Sequence, residues 1–123
     1  IESIPEQLEY SILPYITFEK GSAVISGKTK NLMKELIQSL LNNPASKIKI
    51  YAMASADEEQ AMLLSLRRAD AFIKLLVSAG VPVTRIESFQ YGNDKSRNNC
   101  IWPDCTPEQL QENRCVLWEI KMP

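Results

Sequence analysis

Two hydrophobic periods alternate along the chain. Leu32, Met33, Leu36, Ile37, Leu40 and Leu41 recur at three- and four-residue spacing, the period of one buried helical face. They predict a helix that opens at Ser26-Gly27 and stops at Asn42-Asn43-Pro44. Ile48-Lys49-Ile50-Tyr51-Ala52-Met53 alternates instead and predicts a strand. A longer helical stretch runs from Asp57-Glu58-Glu59, whose charge suits a helix N-terminus, to about Ala79, where Gly80 and Pro82 end it. β-Prone segments at residues 15–18, 85–91 and 115–120 predict three more strands, and Thr106-Pro107-Glu108 starts a short helix. Residues 1–14 carry Pro5 and Pro14 without a clean period and form a lead-in to a domain over 15–123. The order strand, helix, strand, helix, strand, short helix, strand predicts an α/β (α+β) sandwich with helices packed on a small mixed sheet.

Composition narrows what such a domain can do. At 123 residues the chain is one domain, long enough to fold on a single core. Fourteen basic and fifteen acidic residues give a net charge of −1, so the basic footprint of a nucleic-acid binder is missing. Histidine is absent, which removes the usual proton shuttle and the commonest metal ligand. Most hydrolase and metalloenzyme readings fall there, and no cofactor or metal is expected. No apolar run reaches the length that spans a bilayer. The chain begins at Ile1 rather than Met, as a mature or truncated product would, with any signal peptide or lipid anchor upstream. The three cysteines, Cys100, Cys105 and Cys115, allow three single pairings. The short loop-like stretch between Cys100 and Cys105 favours that pair, while Cys115 lies in an alternating segment and suits a small buried apolar role. A disulfide would place the chain in an oxidising compartment. Zinc is set aside, because a fourth ligand and a CxxC spacing are missing.

Three features together resemble the OmpA-like domain, the periplasmic module that holds peptidoglycan noncovalently. Leu64-Ser65-Leu66-Arg67-Arg68-Ala69 is similar to the family's LSxxRA helix motif, and Leu76-Val77-Ser78-Ala79-Gly80-Val81-Pro82 follows at family spacing. Ile16-Thr17-Phe18 and the turn from Gly21 to Gly27 resemble its opening strand and approach to the first helix. Asn113-Arg114-Cys115-Val116 resembles its NRRV segment. The resemblance covers residues 15–121 and implies a noncatalytic domain of the Gram-negative periplasm, associated with the outer membrane and reaching a membrane only through an anchor outside this chain, such as a lipoprotein's. Its implied partners are peptidoglycan and other envelope proteins.

The resemblance also implies a ligand site. A diaminopimelate side chain ends in a carboxylate and an ammonium, so a binder needs a fixed cation beside a fixed anion. Arg68 matches the family's arginine, and its planar fork suits a carboxylate. The family's aspartate-bearing turn falls on Ala52-Met53-Ala54-Ser55, which leaves Ser55, or Asp57 two residues on, for the ammonium side; Ser65 completes the candidate set. Ala61 and Cys115 also stand where the family has polar groups, so the pocket is partly eroded. The competing role for Arg68 is structural, tying its helix to a neighbouring loop. Ser65 lacks a base to make it a nucleophile, and Asp57-Glu58-Glu59 reads as a solvated helix start rather than an acid–base pair. Met62, Leu63, Leu64 and Leu66 span too wide an arc to face one core, since successive residues turn by about 100°. Leu63 and Leu66, with Met62, therefore form a candidate protein interface, or else a contact with the lead-in. Two functions follow: anchoring of an envelope protein at peptidoglycan, or a structural part of an envelope-spanning assembly such as the outer-membrane core of a secretion system.

Overall fold

A computed structural model describes residues 13–98 and 100–122; most of the lead-in lies outside them. The elements are β1 (Tyr15–Thr17), α1 (Gly27–Leu32), α2 (Lys34–Asn42), β2 (Lys47–Ala52), α3 (Ala61–Ser78), a 3₁₀ turn (Val83–Arg85), β3 (Ile86–Gln90), α4 (Pro107–Glu112) and β4 (Cys115–Lys121). The strands form one mixed sheet in the order β1-β4-β2-β3. β4 runs antiparallel to both β1 and β2, while β2 and β3 are parallel and joined through α3. A parallel pair needs such a crossover.

Alternation in the central strands separates two layers. Ile48, Ile50 and Ala52 of β2 and Val116 of β4 pack under the helices with Met33, Leu36, Leu40, Phe72 and Leu76. Tyr51, Met53, Cys115 and Leu117 point to the other face, joined by Leu13, Phe89 and Tyr91. Tyr51 stacks between Phe89 and Tyr91, with ring centroids 5.5 and 6.3 Å away. Cys115 is fully buried and unpaired, and burial pushes its thiol up to about 12. Cys100 and Cys105 form a disulfide.

The predicted first helix is divided at Met33. Met33 is fully buried, but Leu32 and Leu41 are 66% and 40% exposed, so the apolar stripe is narrower than the six spaced residues suggested. Ser26 caps α1 by accepting from the Thr29 N–H, and Thr106 and Gln109 form a reciprocal capping box on α4 with Pro107 in its first turn. α3 ends where predicted. Gly80, at φ +108°, donates to the Val77 carbonyl, and Val81 donates back to Leu76. This is the paired-bond stop that a left-handed glycine permits.

Candidate functional site

The buried stripe of α3 is Leu64, Ser65, Arg68, Ala69, Phe72 and Leu76. Arg68 is thus a cation on the core face of an amphipathic helix, with its side chain fully buried. A buried arginine requires compensation, and the surrounding loops supply it from three directions. Its Nε donates to the Ser22 carbonyl at 2.9 Å, Nη1 to the Met53 carbonyl at 3.1 Å, and Nη2 to the Glu19 carbonyl at 3.3 Å. The other two N–H groups form a fork on Glu58, Nη1 to Oε1 at 2.9 Å and Nη2 to Oε2 at 2.5 Å. A guanidinium has five donors. All five are taken.

Glu58 is held with equal completeness. Its carboxylate also accepts from the backbone N–H of Ser55 and of Gly21, each at 2.8 Å. Burial alone would raise this carboxyl, but the Arg68 bonds and the two backbone donors outweigh it and hold the group below the usual glutamate range. The expectation that Asp57-Glu58-Glu59 begins a solvated helix is therefore corrected. α3 starts at Ala61, and Glu58 is only 6% exposed, folded inward beneath a turn.

Asp57 occupies a second, shallower layer. It accepts from the Ser55 hydroxyl and pairs with Lys20 at 3.2 Å and Arg114 at 3.1 Å. Arg114 reaches from the segment before β4, and its Nε also donates to Ser55 Oγ at 3.1 Å. Burial opposes ionisation of Asp57, but the Ser55, Lys20 and Arg114 contacts prevail and hold it at about 2. Because the folded-state value lies below that of an unfolded aspartate, the unfolded chain binds the extra proton first. Asp57 therefore contributes stability that is complete above about pH 4 and is lost as pH falls towards 2. Urea unfolding across that window should show a shallower acid decline in Asp57→Asn than in the wild type.

Ser65 belongs to a different cluster. It is fully buried, its hydroxyl donates to the Met62 carbonyl at 2.9 Å, and it accepts from the Gly92 N–H at 3.0 Å. Gly92, at φ +58°, would place a Cβ 3.1 Å from the Met62 nitrogen, so only glycine allows this approach of the β3 exit to α3. Ser65 thus pins the start of α3 and offers no atom to a ligand. Of the four predicted ligand residues, Arg68, Ser55 and Asp57 meet in one network, and Ser65 stands apart.

Outside the network is an open cleft of about 470 Å³, lined by Lys20, Asp57, Glu58, Glu59, Gln60, Leu63 and Arg67 among others. On the outer face of α3, Met62, Leu63 and Leu66 are 51%, 40% and 43% exposed. Leu64, between them, is buried. The structure therefore places all three predicted interface residues on the surface.

Residues 17–108 match the OmpA family. The chain belongs to that family. Its fold is also similar to the peptidoglycan-associated lipoprotein of Burkholderia pseudomallei, with a TM-score of 0.77 at 19% identity over 87% of this chain and 89% of that one. The C-terminal domain of Helicobacter pylori MotB gives 0.74 at 19% identity over 90% and 86%. The OmpA-like domain of FopA1 from Francisella tularensis gives 0.68 at 16% identity over 88% and 71%. No curated protein matches the chain.

Glu58 and Arg114 were not among the predicted site residues. A signal for Glu58 existed: Leu64, Arg68, Phe72 and Leu76 share one i+4 row, and an arginine in a core row demands an anion nearby. Which of the three adjacent carboxylates supplies it is decided by the turn, not by the spacing.

Proposed function

We propose that this OmpA-like domain is a noncatalytic periplasmic module that positions an envelope protein at the cell wall through protein contacts on α3, rather than by clasping a peptidoglycan stem peptide on Arg68. The observation that carries this reading is the saturation of Arg68. All five of its donors are satisfied within the chain, and its charge is neutralised by Glu58. A ligand carboxylate would have to displace a buried, bidentate ion pair before gaining any contact. Met62, Leu63 and Leu66 remain exposed on the adjacent face, and grouped apolar residues on a surface suit a protein partner. This favours a structural component of an envelope assembly, of which a secretion-system core is one kind, with weak or no peptidoglycan affinity.

Direct wall binding has one observation in its favour. In the open cleft, Arg67 and Glu59 are exposed and engaged in no ion pair among the described residues, a cation and an anion beside apolar Leu63. A zwitterionic peptide end would find both charges there. Two measurements separate the readings. In cells, the Leu63→Glu, Leu66→Glu variant should remain folded, because both sites are surface positions where substitutions usually change stability by no more than about 0.5 kcal/mol. Its parent protein should nevertheless leave its high-mass envelope complex on a native gradient. Sedimentation with purified sacculi should show no specific retention of the wild-type chain. Retention abolished by Arg67→Ala would instead support the wall-binding reading.

A further inference from the structure

Arg97, in the loop between β3 and α4, is the reverse of Arg68. It too is buried, only 9% exposed, yet no carboxylate among the described residues pairs with it. Glu112 of α4 turns its carboxylate to the Asn98 amide at 2.8 Å and offers Arg97 only its backbone carbonyl, 3.4 Å from Nη1. The Nε of Arg97 is buried without an acceptor. Nη2 also lacks one among the described residues but stays open to solvent. We propose that Arg97 anchors a second interaction surface, where it receives a carboxylate of a partner protein while Ile101 and Trp102 pack on apolar surface beside that carboxylate.

Three observations carry this. First, the unused donors lie on one edge of the guanidinium. Nε and Nη2 are neighbours, and such a pair of N–H groups forks a carboxylate. A buried charge with a single long contact is unfavourable by itself; an arriving carboxylate supplies both the opposite charge and the missing acceptors. Second, that edge is held in place. The guanidinium lies on the Tyr15 ring, its Cζ 3.5 Å from the ring centroid, and the Arg97 backbone N–H donates to Oδ1 of buried Asn113 at 2.8 Å. Third, the same Asn113 joins Arg97 to an apolar tip. Its Nδ2 lies 3.9 Å from Cys100 Sγ, and the Cys100–Cys105 disulfide closes a short loop on which Ile101 and Trp102 are both exposed. Arginine, tyrosine and tryptophan are the residue types that most often anchor protein interfaces. The apolar tip favours a protein over a free peptide of the wall.

This surface shares no residue with the α3 contact face, so the failure of either leaves the other standing. Two experiments test it. Urea unfolding separates a binding arginine from a structural one. Arg97 has no ion partner to strand, so Arg97→Met should be at least as stable as the wild type. A marked loss of stability would make Arg97 a structural residue and overturn the proposal. In cells, a photoreactive benzoyl-phenylalanine is placed at exposed Asp104 of the parent protein. It should form a protein adduct that falls at least ten-fold in Arg97→Met, with an aspartate, glutamate or chain terminus in the cross-linked peptide. Neutralising that carboxylate in the partner should lower the adduct equally, and should lower it no further when combined with Arg97→Met. An adduct that survives Arg97→Met, an adduct with wall material only, or no adduct would overturn the proposal.

Discussion

Arg68→Ala is expected to destabilise the domain by about 3–5 kcal/mol, the range for breaking one side of a buried ion pair. The loss is not that of one attractive contact. Glu58 would remain buried with a negative charge, held by the Gly21 and Ser55 N–H groups and by Arg114 at the longer distance of 4.0 Å, and three backbone carbonyls from separate segments would lose their donor. Domains of this kind have about 5–15 kcal/mol in total, so the variant is left marginal. Urea denaturation measures the effect directly. Removing both charges, as in Arg68→Met with Glu58→Leu, should cost clearly less than the sum of the two single changes, because neither charge is then stranded. Purely additive costs would mean that the two side chains are not coupled. Loss of any binding activity in Arg68→Ala is therefore informative only when the variant is shown to be folded.

Phe72→Ala is expected to cost about 3–5 kcal/mol for a different reason, the cavity left by a large core side chain. Phe72 is fully buried at the middle of α3, with its ring 5.5 Å from that of Trp118 on β4, where helix and sheet meet. The same urea experiment should show a lower midpoint with an unchanged slope, the mark of lost stability without a change in the surface exposed on unfolding. Phe72→Leu keeps most of the volume and should cost much less. A loss below about 1 kcal/mol for Phe72→Ala would mean that α3 can settle onto the sheet without this ring, contrary to the packing described.

What the sequence made legible was whatever depends on local period. The alternation in residues 48–53 and the glycine stop after Ala79 report burial and turn geometry within a few residues, and each appears in the structure near its expected place. The family motif on α3 likewise located Arg68, and the turn of about 100° per helical residue located the exposed positions beside it. The partner of Arg68 was not legible, because its selection is tertiary. Glu58 lies ten residues from Arg68 in sequence, yet its burial also requires Gly21, thirty-seven residues away. Read locally, three successive acids are a solvated helix start; only the turn that places Gln60 in a left-handed conformation shifts the start to Ala61 and drives the middle acid inward. Arg114 belongs to the motif before β4, but its reach to Asp57 across 57 residues does not follow from that motif. The split at Met33 has the same origin, since a helix period shows which positions are apolar and not how many of them the sheet will cover.

The most direct test of the closed arginine is sedimentation of the wild-type chain with purified diaminopimelate-containing sacculi, its fold first verified by circular dichroism. Because all five Arg68 donors are satisfied by the chain itself, the protein should stay in the supernatant, and added free diaminopimelate should change nothing. Retention on the sacculi that free diaminopimelate reverses and that survives in Arg67→Ala would contradict the account, for it would show that the wild-type Arg68 site admits the wall peptide with Glu58 in the chain.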